Sequence, residues 1–506
     1  MFYTTRDLPV VGELMGFLVG LPSDPADWLD AEDVPDGTPY LLSPAFEYDT
    51  ALNSYFLSPE VVGAPDNTRV NQAGALKRFL DFLWSARSGC SWRDASEADH
   101  LAFHHWRRRD EDGPRVAGTT WSQEVSHVNQ FYVWAVKNGH VRSNPIPQRQ
   151  RRALPPGVGW RASSSEMVPA TYAYDESGKR IEWLPPASYR RWRDVGLRGY
   201  GSDGLPNTRF RGRWASRNAT YADLMVRTGM RLTEQSSLTV LEIPTPRGLG
   251  GYQRFWLPGR IAKYASARWI YTPEGVVEDL ASYAEFDRAE VIDAARAAGR
   301  YRDVRRPLVI ADLSRPTIVR QVGSADRKRL KLRELTPKER RRLFIETEDG
   351  LEPALFWLGE DGMPLTVSAW KSTFATANAR CLEHGVMLAC HPHLLRHSFA
   401  VITLEQLQRG HLADLAELTT AQRGQYTRIF GDPLDWVRRR LGHVSVLTTS
   451  IYLHALQELE METRMALVPD GWDDPRDTPL SQLGDDLHAP LAADEDEVAV
   501  AAGGVA

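Results

Sequence analysis

Apolar residues recur at helical intervals in the first part of the chain. One set lies three and four positions apart: Leu76, Phe79, Leu80 and Leu83. This spacing places the side chains on one face and predicts an amphipathic helix that begins near Asn67. A second helix is predicted over 98–109, and a third from Thr120, because Thr120 and Gln123 have the spacing of a capping box. Together these helices predict a small helical domain over 63–147.

Two runs further along the chain have the composition of β-strands. YQRFWLP (252–258) and RWIYTP (268–273) are rich in aromatic and aliphatic residues and flank a polar turn. This arrangement predicts a β-hairpin. Helical patterns dominate the remainder to about Glu462. The sequence therefore predicts a mainly α fold with a small β-hairpin.

We predict five segments along the chain. They are an N-terminal extension (1–62), the small helical domain (63–147), a linker (148–178), a larger domain (179–465) with an insertion over about 275–365, and a tail (466–506). The linker begins with the basic run QRQRR followed by Pro and Gly, which indicates an exposed connection. The tail is rich in acidic residues and alanine, so we expect it to be disordered.

Composition limits the class of protein. Among 506 residues, 42% are hydrophobic and 25% are charged, which is typical of a globular protein. The three cysteines lack pair spacing, so we predict neither a disulfide framework nor a cysteine-based zinc site, and a reducing, cytoplasmic setting fits best. The apolar patch over 9–21 is too short to span a bilayer.

The formal net charge of −5 is concentrated at the C-terminal end. From Asp470 onward, ten acidic residues and one basic residue, Arg476, give a net charge of −9. Subtracting this from the total of −5 leaves +4 for residues 1–469. This body of the chain is mildly basic. Charge by itself therefore neither indicates nor excludes a nucleic-acid partner.

The stretch HPHLLRHSFA (391–400) places three histidines around one arginine. His393 and His397 are four residues apart, the spacing of the zinc ligands in an HExxH helix. That motif needs a glutamate where this chain has Leu394, and Arg396 would set a permanent positive charge against a dication. We therefore interpret the stretch as a phosphate site, because a guanidinium fork matches two phosphate oxygens and the neighbouring histidine adds a donor.

Three further segments accompany this stretch. TGMRLTEQSSLTV (228–240) contains Arg231 and Glu234, RIAKYASARWIYTP (260–273) contains Lys263, and LGHVSVLTTSIYLHA (441–455) contains His443 and Tyr452. The order Arg, Lys, His-x-x-Arg, His, Tyr resembles that of the tyrosine recombinase or phage integrase family. The small helical domain, with its NGHVRSNPI ending, is similar to the core-binding domain of that family. AKYAS stands where the family has a glycine-rich turn around the lysine.

The resemblance implies a DNA strand transferase that needs no metal or other cofactor. Tyr452 would attack the scissile phosphorus and form a 3′-phosphotyrosyl link. Arg231 and Arg396 would hold the non-bridging oxygens, and His443 would donate a further hydrogen bond. Lys263 would protonate the leaving 5′ oxygen.

Three other histidines and one glutamate lie near these residues in the sequence, and we expect them to have lesser roles. His393 would assist proton movement at the tyrosine, and Glu234 would hold Arg231. His397 and His391 are interpreted as structural, because a histidine beside a catalytic arginine is more often a packed hydrogen-bond donor.

The resemblance also implies partners. The two domains would form a C-shaped clamp on double-stranded DNA, with four protomers assembled on two DNA sites. An accessory DNA-bending or directionality factor is a candidate further partner, and the sequence does not decide whether one sets the direction. The basic runs beside the linker and inside the insertion suggest DNA contacts at Arg149, Arg151, Arg152, Lys328 and Arg329. A solvated basic surface explains the linker run equally well and explains the run inside the insertion better.

The expected function is that of a site-specific recombinase or integrase, which integrates or excises a mobile element. One alternative is a type IB topoisomerase, from which the helical domain before the motifs distinguishes a recombinase. Another is a DNA-binding protein of the same fold that has lost catalysis, although none of the motif segments is eroded. A metallohydrolase is a third alternative, which sensitivity to a chelator would support.

Overall fold

The structure is a computed structural model of the full chain. It describes residues 1–5, 28–29, 31–35, 37–150, 167–173, 181–302, 304, 307–310, 312–313, 319–321, 330–417, 432–443, 448–453 and 455–456. The predicted tail lies outside the described residues, as do four of the predicted DNA-binding residues: Arg151, Arg152, Lys328 and Arg329.

The chain divides into two compact units, Met1–Lys179 and Arg180–Ala506. The first unit contains the antiparallel strands β1 (Phe2–Thr4) and β2 (Pro39–Leu41), the helices α1 (Thr50–Asn53), α2 (Pro59–Val62), α3 (Asp66–Ala86), α4 (Glu97–Arg108) and α5 (Gly118–Lys137), a 3₁₀ turn (Ser54–Leu57), and the antiparallel strands β3 (Gln148–Gln150) and β4 (Met167–Pro169). The three long helices are the three that the sequence predicts.

One hydrophobic core fills the first unit. Phe79 from α3, Phe103 from α4 and Trp121 from α5 are almost completely buried in it. Tyr55 and Phe56, which belong to the predicted N-terminal extension, are buried in the same core. The residues just before α3 therefore pack as part of the helical unit, because their aromatic side chains complete its interior.

The predicted start of α5 is wrong. The helix begins at Gly118, and its N-cap is Ala117, whose side chain makes no capping hydrogen bond. Thr120 lies inside the first turn and is exposed, whereas Gly118 and Trp121 are buried. Burial of this face extends the helix to residues that the capping-box spacing placed outside it.

The second unit is also mainly helical. Its helices are α6 (Pro186–Trp192), α7 (Ala215–Thr228), α8 (Leu232–Ser236), α9 (Glu274–Tyr283), α10 (Ala289–Ala297), α11 (Pro337–Arg340), α12 (Val367–Glu383), α13 (Pro392–Glu417) and α14 (Pro433–Leu441). Residues 448–453 form a further helical segment. Shorter turns are π-helical (Arg193–Leu197 and Ala284–Arg288) or 3₁₀ (Gly259–Ile261, Lys263–Ala265 and Leu332–Glu334). No helix among the described residues is long and apolar enough to cross a membrane.

The predicted hairpin is confirmed. β5 (Tyr252–Leu257) and β6 (Arg268–Pro273) are antiparallel, with Phe255 opposite Ile270. Side chains alternate between the faces, so Phe255 and Ile270 lie in the core while Trp256 is partly exposed on the outer face. The turn that joins the strands carries the predicted lysine.

The predicted insertion contains a small sheet. Its strands are β7 (Leu308–Ile310), β8 (Val319–Gln321), β9 (Leu343–Thr347) and β10 (Gly350–Pro353), in the order β10-β9-β7-β8. β7 and β9 are parallel, and the other neighbours are antiparallel. The segment after β10 joins the main core through Phe356 and Trp357, and the fully buried Arg340 pairs with Glu242 at 2.7 Å. The sheet is therefore packed against the segment that follows the Arg231 motif.

Candidate active site

The first motif folds around a glycine turn. α7 ends at Gly229, whose φ of 65° is left-handed, and a Cβ atom there would lie 2.3 Å from the ring of Phe399. Glycine is therefore required at this position both for its conformation and for its close contact with α13. Two residues later, Arg231 is the N-cap of α8. The turn thus packs the start of the Arg231 motif against α13.

Glu234 holds Arg231 by two hydrogen bonds. One Glu234 carboxylate oxygen accepts from the Arg231 backbone N–H at 2.9 Å, and the other accepts from Arg231 Nη1 at 2.8 Å. Glu234 is 1% exposed, whereas the Arg231 side chain keeps 23% of its surface exposed. The guanidinium is therefore oriented by a buried carboxylate and remains open to a ligand.

Arg268 completes the pairing of Glu234, and sequence reasoning missed it. Its Nη2 donates to Glu234 at 2.6 Å and its Nε donates to the Arg440 carbonyl at 2.8 Å. Burial alone would raise the pKa of Glu234, but the charge and hydrogen bonds of Arg268, followed by those of Arg231, lower it to about 2. Arg268 thus connects the hairpin to the Arg231 motif and to the end of α14. The alternation along RWIYTP is a signal for its burial, since it shares a face with Ile270.

Lys263 lies at the exposed tip of the hairpin. The next two residues, Tyr264 and Ala265, have left-handed φ angles of 59° and 52°. Glycine usually occupies such conformations, but this turn adopts them without glycine. The Lys263 ammonium lies 4.9 Å from the centre of the Tyr264 ring. Gly442 packs against the same turn, since a Cβ atom there would lie 2.9 Å from Ser266 Oγ.

Arg396 is buried at the centre of the second unit. It is 1% exposed, and its guanidinium donates to the carbonyls of Gly229 and Leu441. These bonds use two of its five N–H groups and join α13 to the ends of α7 and α14. Burial, followed by the nearby charge of Arg231, lowers the pKa of Arg396 to about 9, so it is cationic at neutral pH.

Tyr452 is buried beside His397 of α13. Its hydroxyl lies 3.0 Å from Nδ1 of His397, and the rings of His397 and His393 are 4.3 Å apart between centres. Tyr452 therefore shares a hydrogen bond with His397 rather than with His393. Burial raises the pKa of Tyr452, while the charges of Arg396 and Arg231 oppose that rise.

His443 also lies near the Tyr452 ring. The two rings are nearly parallel, at 14°, with centres 6.3 Å apart. Nδ1 of His443 is 3.0 Å from Oγ1 of Thr449, which is completely buried. Burial, followed by the charges of Arg396 and Arg231, lowers the pKa of His443 to about 3, so its imidazole is neutral at neutral pH. If Thr449 donates to Nδ1, the proton of His443 is on Nε2, available to a ligand.

The structure therefore brings together residues from four separate motifs. The pKa of His393 is lowered by partial desolvation and then by the charges of Arg396, His391, Arg231 and Lys263. The Lys263 ammonium therefore also acts on this site. Of the five predicted DNA-binding residues, Arg149 alone is described, and it lies in β3 of the first unit. The DNA-contact role of all five stays a prediction.

The described residues contain no group of three or more His, Cys, Asp or Glu side chains arranged to hold a metal ion. His393 and His397 instead share their helix face with the buried Arg396. The site is rich in positive charge, which suits an anionic ligand such as a phosphodiester. That the reaction needs no metal or cofactor stays a prediction.

Comparison with solved structures matches the chain to site-specific recombinases and integrases. XerH recombinase bound to its palindromic difH substrate is 13% identical, with 83% of this chain and 85% of that chain covered at a TM-score of 0.43. The Tn1549 transposon integrase in complex with circular intermediate DNA is 12% identical, with 82% and 98% covered at 0.42. A lambda integrase dimer bound to a COC′ core site is 12% identical, with 80% and 94% covered at 0.41.

The chain resembles tyrosine recombinases. No protein-family model and no curated protein matches its sequence. At these identities and TM-scores, we infer function from the residues of this chain alone.

Proposed function

We propose that this chain cuts and rejoins DNA strands through a covalent link between Tyr452 and a 3′ phosphate, as a site-specific recombinase or integrase. One observation carries the proposal. Tyr452 is buried against His397 and His443, and the charges of Arg396 and Arg231 act on its hydroxyl. A tyrosine surrounded by cationic and imidazole groups is the arrangement that a phosphoryl-transfer nucleophile needs.

The two arginines would bind the scissile phosphate. Arg231 is anchored by Glu234 but remains partly exposed. Arg396 uses two of its five N–H groups for the carbonyls of Gly229 and Leu441, so three remain to bind a phosphate. Their positive charges would stabilise the pentacoordinate state, in which the phosphate carries more negative charge than in the ground state. His443, neutral at neutral pH, would donate from Nε2 to the same oxygens.

Lys263 would protonate the leaving 5′ oxygen. It lies on the hairpin turn that Ser266 and Gly442 bring close to His443, and its charge acts on His393. Such a general acid contributes about 10²–10⁴-fold when it is well placed. The bond energy of the phosphodiester is kept in the tyrosyl link, so the 5′ hydroxyl of another strand can reverse the step.

The partner would be double-stranded DNA, and recombination would require four protomers on two sites. This assembly is an inference from the motif resemblance. Deletion of residues 456–506 would then weaken assembly on DNA. Undiminished recombination by the truncated chain would contradict it.

A covalent trapping assay tests the function. The full chain is mixed, in the presence of EDTA, with a pool of nicked duplexes of randomised sequence, in which cleavage next to the nick releases a short fragment and traps the enzyme. We expect a covalent protein–DNA adduct with the wild type and none with Tyr452→Phe, which lacks the attacking oxygen.

The outcomes separate the alternatives. An equal adduct with Tyr452→Phe would refute the tyrosine mechanism. Strand cleavage without an adduct, seen only when EDTA is omitted, would support a metallohydrolase. Absence of any adduct, with DNA binding intact in both proteins, would support a DNA-binding protein without catalysis.

A further inference from the structure

We propose that Arg268 is a positioning residue, which fixes Lys263, Arg231 and His443 relative to one another through hydrogen bonds to the three elements that carry them. The inference rests on the proposed function and explains how the leaving-group acid and the phosphate-binding groups of that site are held together. The motif resemblance gives Arg268 no role, so the inference depends on its contacts alone.

The Arg268 side chain is occupied by partners within the protein. It is 7% exposed, and its guanidinium donates to the Glu234 carboxylate and to the carbonyls of Ser266 and Arg440. Each nitrogen of the guanidinium has an acceptor in these bonds. Arg268 therefore acts through other residues and does not bind the phosphate itself.

The first contact holds the hairpin turn that carries Lys263. Arg268 Nη1 donates to the Ser266 carbonyl at 3.2 Å, and Ser266 Oγ donates to the Lys263 carbonyl at 2.9 Å. Tyr264 and Ala265 in this turn have left-handed φ angles. Residues other than glycine keep such conformations only where their surroundings hold them. Arg268 supplies part of that support from the buried side of the hairpin.

The second contact orients Arg231. Nη1 and Nη2 of Arg268 donate to the two carboxylate oxygens of Glu234, at 3.3 Å and 2.6 Å. This two-point pairing sets the plane of the carboxylate. The same two oxygens accept from the side chain and the backbone N–H of Arg231. A change in the position of the Arg268 guanidinium therefore changes the carboxylate that orients Arg231.

The third contact holds the end of α14, just before His443. Arg268 Nε donates to the Arg440 carbonyl at 2.8 Å. The next carbonyl, that of Leu441, accepts from Arg396. Two buried arginines thus fix consecutive carbonyls at the end of this helix, and His443 follows two residues later.

The three contacts share one rigid group. A guanidinium is planar, so its N–H groups cannot be reoriented independently of one another. Displacement of the hairpin turn should therefore also displace Arg231 and the end of α14. We infer that Lys263 reaches its working position only when Arg231 is in its own, which couples protonation of the leaving group to binding of the phosphate.

Arg268→Lys is the variant that tests this coupling. It keeps a positive charge beside the buried Glu234, but a single ammonium replaces the fork and cannot hold all three acceptors in the same geometry. Arg107→Lys is the matched control, because Arg107 is equally buried and pairs with Glu124 in the first unit. Thermal unfolding midpoints check that each variant is folded, and rates are expressed per folded molecule.

The first measurement does not depend on DNA. Backbone amide hydrogen exchange is followed in the hairpin turn, 259–267, and around Arg231, 229–236. We expect faster exchange in both segments of Arg268→Lys, because both lose support for their hydrogen bonds, and no change in either segment of Arg107→Lys. Faster exchange in the turn alone would overturn the coupling to Arg231.

The second measurement compares two leaving groups. Adduct formation is timed with the pool of nicked duplexes, made with either oxygen or sulfur as the bridging 5′ atom of the cleaved linkage. With oxygen, the leaving atom takes a proton from Lys263. With sulfur, the phosphorus–sulfur bond breaks to release a thiolate, which needs no proton because thiols have a pKa of about 8.5. Lys263→Ala should therefore lose about 10²-fold or more with oxygen and little with sulfur.

Arg268→Lys should show an intermediate pattern. We expect its rate to fall about 10²-fold with oxygen, and to fall less with sulfur without returning to the wild-type rate, because Arg231 and His443 are displaced as well. A sulfur-to-oxygen ratio equal to that of the wild type would show that Arg268 does not position Lys263. Complete recovery with sulfur would show that it does not position Arg231. Either result overturns the proposal, whereas a wild type that forms no adduct would refute the proposed function itself.

Discussion

Both units bury a glutamate between two arginines, but the two clusters differ in their balance of charge. In the first unit, Glu124 lies between the buried Arg107 and the partly exposed Arg78. In the second unit, Glu234 lies between Arg268 and Arg231 in the same way. The second unit adds a third arginine, Arg396, which among the described residues bonds to carbonyl oxygens and to no carboxylate.

The difference indicates what each cluster does. The Glu124 cluster connects α4 to α3 and α5, and its buried charges are matched one to one. Among the residues that the structure describes, the Glu234 cluster leaves a buried positive charge without a bonded carboxylate, and burying such a charge is costly unless something compensates it. A phosphodiester would supply the missing negative charge, so we infer that the second cluster is built for a ligand and the first for stability.

Removal of Arg107 should have the largest effect on stability. Arg107→Ala leaves Glu124 buried with only the exposed Arg78, and breaking a buried pair in this way costs about 3–5 kcal/mol. Chemical unfolding of the full chain, monitored at the first unit, measures the loss. Arg78→Ala is the matched control, because its side chain is 43% exposed and such a pair contributes about 0–1 kcal/mol. Equal losses in the two variants would contradict the role of burial.

Removal of Arg396 should have the largest effect on catalysis. Arg396→Ala is expected to lower the rate of adduct formation by about 10²–10³-fold, the usual effect of losing one preorganised donor to the transition state. Arg396→Lys keeps the charge but loses the planar fork, so we expect it to remain strongly impaired. The rate is measured per folded molecule. A rate unchanged in both variants would show that Arg396 only joins the helices.

Acid should weaken the Glu234 cluster. The folded pKa of about 2 lies below the ordinary value of 4.5, so the unfolded chain binds more protons between these values. The stabilisation by Glu234 is therefore complete above about pH 4.5 and is lost as the pH falls toward about 2. The measurement is the difference in unfolding free energy between wild type and Glu234→Gln across this range. A constant difference would refute the depressed pKa.

A smaller effect is expected at Gly442. Both Gly442 and Gly250 have a φ of 65°, but an added Cβ at Gly442 meets Ser266 and Arg268, whereas at Gly250 it meets nothing within 4 Å. Alanine at either position costs about 1–2 kcal/mol for its left-handed conformation. Gly442→Ala should in addition slow adduct formation, because it displaces the hairpin turn that carries Lys263. Equal rates in the two variants would show that this contact does not position the lysine.

Local patterns in the sequence determined much of the fold. The three long helices of the first unit and the β5–β6 hairpin follow from the spacing of apolar residues, which depends only on neighbours along the chain. The start of α5 was predicted wrongly, because the burial of Gly118 and Trp121 against the core outweighed the capping pattern at Thr120. Local patterns thus identify elements better than they identify the ends of elements.

The sequence by itself also predicted most residues of the candidate site, because the order of the motifs can be read along the chain, but it missed Arg268. Only the tertiary structure decided which of them touch. His397 and Tyr452 are 55 positions apart, and Arg268 and the Arg440 carbonyl are 172 apart. Arg396 and His397 are neighbours on α13, so they point in different directions around the helix. The packing of the helical segment 448–453 against α13 decides that His397 is the histidine in contact with Tyr452. Contacts at such separations depend on how helices pack, which no local pattern specifies.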